Sequence, residues 1–157
     1  MVTIKSTTRF SSIKDLVILT QTDTTVGFVS QNAPKLYKIK SRDTLKPFIK
    51  VYADFKSFLA CGNRIPHAKK NLVRRSKKTS FIVKNRAFRV AKNPLNSQLL
   101  RDLSWSYSTS ANETKQNFDK IFCEDKADII IEDKNGLDEN SSSNLIKINN
   151  IKEVKIR

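Results

Sequence analysis

The apolar residues of this chain fall into short runs, and this limits the folds that it can adopt. Seven runs have the length and the β-branched or aromatic content of strands: Leu16–Thr20, Phe48–Tyr52, Ser80–Val83, Phe88–Val90, Ile129–Ile131, Leu145–Ile148 and Val154–Ile156. A transmembrane helix needs about 20 consecutive apolar residues, and no run approaches that length. The pattern predicts a β-sheet and no membrane span.

Segments between these runs predict the helices that would cover the sheet. They are Pro34–Ile39, Asp54–Leu59, Pro66–Val73, Asn96–Leu103 and Thr114–Phe122. The interval from Ser80 to Val90 holds two strands without room for a crossover helix, which disfavours a regular doubly wound parallel sheet. We expect an α/β fold, in which helices pack on a twisted sheet of mixed parallel and antiparallel strands. Asn135–Asn144 is predicted to be a long loop.

The length of 157 residues fits one domain, with a core that needs no disulfide or metal. The amino terminus lacks the basic start, apolar stretch and cleavage site of a secretory signal. We therefore expect a cytoplasmic protein in which residues 1–157 form a single domain, with no second one. Cys61 and Cys123 stand apart from each other and form no metal-binding pattern with the single histidine, His67, so no zinc or redox site is predicted.

The formal net charge of +15 comes mainly from the first three quarters of the chain. Between Cys61 and Lys92 there are eleven Lys or Arg residues and no Asp or Glu. Four of them lie close together: Arg74, Arg75, Lys77 and Lys78. Such a segment attracts polyanions through long-range fields and counterion release. We expect this cluster to contact RNA, although a lysine-rich surface also serves solubility.

Only three glycines occur, so the sequence has neither a P-loop nor a GxGxxG fingerprint. A nucleotide site would therefore have to bind phosphates through groups other than a glycine-rich loop. Groups of hydroxyl, amide or cationic side chains border the predicted strands and helices at Thr20–Gly27, Lys40–Arg42 with Lys46–Phe48, Ser108–Asn112 and Ser142–Asn144. Each alone could be a cap or a turn, but their order and separation favour a shared site.

This order resembles the YrdC-like family of threonylcarbamoyl-AMP synthases, over about residues 16–148. The most specific matches are a Lys-x-Arg motif at Lys40 and Arg42 and a Ser-x-Asn motif at Ser110 and Asn112. The resemblance implies a concave, positively charged cavity in a twisted α/β sheet, where ATP, L-threonine and bicarbonate react. The implied products are threonylcarbamoyl-adenylate and pyrophosphate. A separate transferase complex would then move the threonylcarbamoyl group onto tRNA.

The resemblance also implies roles for individual residues. Lys40 and Arg42 would be catalytic. ATP would be bound by Lys40, Arg89, Ser110, Asn112 and Ser143. Threonine would be bound by Thr22, Thr24 and Arg42. The reaction joins three anions, so the site needs cations and positioning more than a side-chain nucleophile. Mg²⁺ is expected to arrive with the nucleotide, and no metal ligand from the protein is predicted.

The chain departs from the family pattern at several positions, and two other functions stay open. Gln21 stands where the family usually has proline, Val26 replaces an aromatic residue, and Glu113 follows the Ser-x-Asn motif in place of glycine. One alternative is a non-catalytic protein of the same fold that binds double-stranded RNA, tRNA or the ribosome. The other is a nucleotide-binding relative with a different acyl or carbamoyl substrate.

Overall fold

One ten-stranded sheet forms the centre of the computed structural model, which describes residues 2–4, 12–114 and 116–157. Its strands are β1 (Val2–Ile4), β2 (Ile18–Gln21), β3 (Val26–Ser30), β4 (Ile49–Tyr52), β5 (Thr79–Val83), β6 (Arg86–Val90), β7 (Trp105–Ser110), β8 (Ile129–Ile131), β9 (Asn144–Ile148) and β10 (Glu153–Lys155). Their spatial order is β1-β8-β2-β3-β7-β4-β6-β5-β9-β10. Three neighbouring pairs, β2 with β8, β4 with β6 and β5 with β9, are parallel, and the other pairs are antiparallel. The predicted mixed sheet is confirmed.

Five α-helices pack on this sheet in the described residues. They are α1 (Ala33–Lys40), α2 (Phe55–Ala60), α3 (Lys70–Arg75), α4 (Pro94–Leu103) and α5 (Lys120–Lys126). Side-chain caps set where four of them begin, because Asn32, Asp54, Asn93 and Asp119 each accept a hydrogen bond from a backbone N–H of the first turn. The cap at Asp119 places the start of α5 later than the predicted Thr114. No described helix has the length and apolar character that crossing a bilayer requires.

The alternation of side chains along β5 and β6 places α2 and α3 on one face of the sheet. Phe81 and Phe88 pack in one apolar cluster with Phe58 of α2 and Val73 of α3. Residues next to them in sequence point to the opposite face. That opposite face is therefore not covered by α2 or α3.

The other half of the sheet is covered on both faces. Phe28 of β3 packs with Leu36 of α1 and with Cys123 of α5. The next residue, Val29, faces the other way and packs with Leu99 of α4. Helix α4 therefore lies on the face of the sheet opposite α1 and α5.

Gly27 lies in β3, near the middle of the sheet, where no side chain fits. A Cβ atom there would lie 2.9 Å from the carbonyl oxygen of Thr109 in β7 and 2.9 Å from Cγ2 of Thr22. Only a residue without a Cβ allows both neighbours to approach this closely. Glycine therefore lets the Thr22 turn pack directly over the pairing of β3 with β7.

Replacing Ile18 by alanine should destabilise the fold strongly. Ile18 is fully buried in β2, and removing a buried isoleucine side chain costs about 2–5 kcal/mol. Ile121→Ala is the matched control, because Ile121 is 83% exposed and should change the free energy of unfolding by about 0.5 kcal/mol or less. Urea unfolding would measure both variants. Equal losses in the two variants would contradict this packing.

Candidate functional site

A cavity of about 430 Å³ lies on the face of the sheet opposite α2 and α3. Ile82, Ala87 and Arg89 line it, in alternation with Phe81 and Phe88, which point toward those helices. Among the described residues that line it there is no Asp or Glu. Six of the residues predicted to bind ATP or threonine line this cavity: Thr22, Thr24, Arg42, Arg89, Ser110 and Ser143.

The tight connection between β2 and β3 presents threonine hydroxyl groups to the cavity. The Thr22 backbone N–H donates to the Thr25 carbonyl oxygen at 3.1 Å, and the Thr22 hydroxyl donates to the same oxygen at 2.7 Å. The Thr22 and Thr24 hydroxyl oxygens lie 3.3 Å apart. These bonds fix a polar turn at the cavity wall, as the Thr-rich segment predicts.

Arg89 brings a buried positive charge to the same wall. One guanidinium N–H donates to the Thr24 hydroxyl at 2.9 Å, while the Nε atom has no hydrogen-bond partner. Burial lowers the pKa of Arg89, and the nearby Asp23 charge opposes that shift. The Asp23 carboxylate accepts from the backbone N–H groups of Lys92 and Asn93 at 2.7 and 2.6 Å, so it is fixed beside Arg89. An unpaired buried N–H is costly, and an anion in the cavity would remove this cost.

The end of α1 separates the two cations of the Lys-x-Arg motif. Ser41 adopts a left-handed conformation, with φ 43°, and its N–H bonds the Lys38 carbonyl oxygen. The chain turns there, so Lys40 points into the protein whereas Arg42 lines the cavity. The Arg42 guanidinium lies 5.2 Å from the centre of the Phe48 ring, and its Nε atom is buried without a partner. Like Arg89, Arg42 therefore has an Nε–H group without an acceptor, to which an anion could hydrogen-bond.

The Lys40 ammonium joins α1 to the segment that follows β7. It donates to the Ser110 carbonyl oxygen at 3.1 Å and to the carbonyl and side-chain oxygens of Asn112 at 2.5 and 2.6 Å. The Ser110 hydroxyl also donates to the Asn112 side chain, at 2.8 Å. Lys40 and Asn112 thus lie behind the cavity wall and hold Ser110, which lines it. Their direct contacts with ATP stay a prediction.

Two further residues of the cavity wall, Arg157 and Asn85, were not predicted from the sequence. Arg157 lines the cavity, and its Nε donates to the Ser143 carbonyl oxygen at 3.2 Å. No motif surrounds this arginine, so no sequence signal points to it. Asn85 lines the cavity from the turn between β5 and β6, where Lys84 and Asn85 both have positive φ. Two such residues between two apolar runs indicate a hairpin turn, but not a cavity.

The predicted RNA-binding cluster lies apart from this cavity. Arg74 and Arg75 end α3, and Lys77 and Lys78 follow it. All four are exposed, and none lines the cavity. In the described residues, no group of three or more His, Cys, Asp or Glu could hold a metal ion.

Sequence comparisons give no relative of this chain. No protein-family model matches it, and no curated protein matches it. Solved structures do resemble it. Sua5 from P. abyssi, complexed with L-threonine, has a TM-score of 0.71 and 18% identity, over 90% of this chain and 50% of that one. The chain has the YrdC-like fold. It spans about half the length of the Sua5 chains that it matches.

Two other structures support the same fold. YciO from E. coli has a TM-score of 0.68 and 20% identity, over 92% of this chain and 83% of that one. Full-length HypF in its phosphate- and nucleotide-bound form has a TM-score of 0.75 and 13% identity, over 100% of this chain and 25% of that one. The predicted YrdC-like fold is therefore confirmed.

Lys40→Met should remove a pH dependence of stability. Burial lowers the pKa of Lys40 from 10.5 to about 8, and the Arg42 charge acts in the same direction. Between these pH values the unfolded chain holds a proton that the folded chain has released, so this group makes the free energy of unfolding rise with pH. We expect a rise between pH 8 and 10.5 in the native chain that is smaller in Lys40→Met.

Urea unfolding of both proteins across this pH range would measure the difference. All other titratable groups are common to the two proteins, so the difference between the curves isolates the effect of Lys40. Parallel stability curves would contradict a lowered pKa at Lys40.

Proposed function

We propose that this protein is an L-threonylcarbamoyladenylate synthase, which forms threonylcarbamoyl-AMP and pyrophosphate from L-threonine, bicarbonate and ATP. One observation carries the proposal: the cavity is lined by the Thr22 turn and by residues of both motifs, Arg42 and Ser110. These segments are far apart in sequence, and each resembles a part of the family pattern.

The charges of the site suit the anionic groups of the three substrates. Arg42, Arg89 and Arg157 line the cavity, and Lys40 lies just behind its wall. The Nε atoms of Arg42 and Arg89 are buried and have no partner among the described residues. Guanidinium groups bind phosphates and carboxylates through charge-assisted hydrogen bonds. An anionic ligand would supply the missing acceptors.

The structural neighbours support the choice of substrates. Sua5 is complexed with L-threonine, and HypF is in a phosphate- and nucleotide-bound form. Both have the fold of this chain. A cavity of about 430 Å³ is within the usual size range of small-molecule sites.

In the proposed reaction, the threonine amine and bicarbonate first form a carbamate with loss of water. A carbamate oxygen then attacks the α-phosphorus of ATP, and the bond to the β-phosphate breaks to release pyrophosphate. Thr22, Thr24 and Arg42 would hold threonine, while Arg89, Ser110 and Ser143 would hold phosphate oxygens. The wall residues neutralise and position the groups, which is the main requirement of such a transfer.

Magnesium would enter this reaction bound to the phosphates of ATP. The described wall of the cavity contains hydroxyl groups, one amide side chain and cations but no Asp or Glu side chain. Such a wall suits the phosphates better than a metal ion, and Mg²⁺ is commonly bound through substrate phosphates. The enzyme would work in the cytoplasm and pass its product to a transferase complex that acts on tRNA.

Lys40→Ala and Arg42→Ala should each lower product formation by about a hundredfold or more, because the first removes the ammonium that holds Ser110 in the wall and the second removes a cation that would hold threonine. Lys38→Ala is the control, because Lys38 is exposed on the same helix. The measurement is pyrophosphate release, with chromatography of the new adenylate, from ATP, L-threonine, bicarbonate and Mg²⁺. Equal activity in Lys38→Ala and Lys40→Ala would contradict the assignment.

Omitting single substrates separates this function from its alternatives. A synthase gives no product without threonine. Product formed with another amino acid or acyl donor instead would indicate a relative with a different substrate. Absence of ATP binding would favour the non-catalytic RNA-binding protein, which the exposed cluster at Arg74 and Arg75 supports.

A further inference from the structure

Strand β10 lies at the edge of the sheet and is exposed to solvent along its whole length. It pairs with β9 on one side, and no described strand pairs with its other side. Every residue from 151 to 157 is exposed. Three large apolar side chains, those of Ile151, Val154 and Ile156, are exposed within this short segment. An open edge that carries apolar side chains is a surface to which another strand can add.

The backbone groups of β10 point alternately toward β9 and toward the open edge. On the side of β9, the Lys152 carbonyl oxygen accepts a hydrogen bond of 3.1 Å and the Ile156 N–H donates one of 2.7 Å. Hydrogen-bonded pairs recur at every second residue of an antiparallel ladder, so the backbone groups of Val154 also point toward β9. The N–H and C=O groups of Glu153 and Lys155 therefore point to the open edge.

The sequence Glu153-Val154-Lys155 is complementary to itself in antiparallel pairing. If Val154 of one copy lies opposite Val154 of another, Glu153 of each copy lies opposite Lys155 of the other. The outward backbone groups make these charged pairs the hydrogen-bonded ones, while the two valines form the other type of pair, in which side chains lie closest. Lys69 bonds only Oε1 of Glu153, at 2.9 Å, so Oε2 can accept from Lys155.

The charges of β10 also select one register of this pairing. Short length and charged residues commonly protect an edge strand from unwanted pairing. Moving the two-fold axis from Val154 to Glu153 or to Lys155 would place like charges opposite each other, which is unfavourable. A strand of three residues gives a small interface, and the net charge of +15 opposes association. We therefore expect a weak dimer that forms at high protein concentration.

We propose that two copies of this chain associate through β10, as an antiparallel pair with Val154 on the two-fold axis. The two ten-stranded sheets would then form one continuous sheet. Pairing would also hold the segment that carries Arg157, whose Nε bonds the Ser143 carbonyl oxygen in the cavity wall. The dimer does not depend on the proposed synthase activity, because each cavity is formed within one copy.

The test is sedimentation velocity at protein concentrations up to about 1 mM, the range of weak association, in about 0.15 M salt. Glu153→Lys places two lysines opposite each other, and Lys155→Glu does the same with two glutamates. Each variant alone should dimerise roughly tenfold or more weakly than the native chain. An equal mixture of the two variants restores both opposite-charge pairs, and so does the double variant Glu153→Lys/Lys155→Glu. Both should dimerise like the native chain.

Asp102→Lys and Lys134→Glu are the controls, because they change the net charge by the same amounts at exposed residues outside β10. Both should keep the native dimer. A native chain that stays monomeric, an equal loss in the controls, or a mixture that associates no better than its components would each overturn the proposal. Urea unfolding checks that the variants fold. If they do not, Val154→Lys is a second variant, which places two lysines together on the axis and should also weaken the dimer.

Discussion

The pairing of β3 with β7 holds the two halves of this protein together. On one side lie β1, β8 and β2, and on the other lie the remaining strands. In the register of this pair Gly27 lies opposite Ser110 and Phe28 opposite Thr109. The candidate site takes its threonine turn from the first half and Ser110 from the second. The site therefore depends on the pairing of β3 with β7, and Gly27 allows the Thr22 turn and Thr109 to approach closely there.

The buried Lys40 ammonium adds a second link across the same region. It connects the end of α1 with Asn112, which lies 72 positions later in the chain. The Thr114 hydroxyl also donates to the Lys40 carbonyl oxygen, so Lys40 both donates to and accepts from the segment that follows β7. This link joins the Lys-x-Arg and Ser-x-Asn motifs physically. Burial of the cation is unfavourable and lowers the pKa of Lys40, while three oxygen acceptors satisfy its N–H donors.

Much of the fold could be predicted from the positions of apolar residues, because seven of the observed strands overlap predicted runs around residues such as Val51 and Phe81. The central strands β3 and β7 could not. Gly27 interrupts β3, and serine occupies every second position of β7, so neither forms a continuous apolar run. Their burial comes from their place in the middle of the sheet, which is a tertiary effect. For the same reason, the motifs predicted the cavity wall, but not that Lys40 lies behind it or that Arg157 joins it.

The hydrogen bonds of Lys40 and Arg89 have a consequence for the entropy of ligand binding. Immobilising a flexible side chain during association costs about 0.5–1.5 kcal/mol. Here Ser110 and Asn112 already hold Lys40, and Thr24 already holds Arg89. The loss of rotamer freedom therefore occurs when the chain folds. A ligand that enters the cavity therefore needs to immobilise neither Arg89 nor the lysine that supports Ser110, which favours selection by shape and charge over adaptation to each ligand.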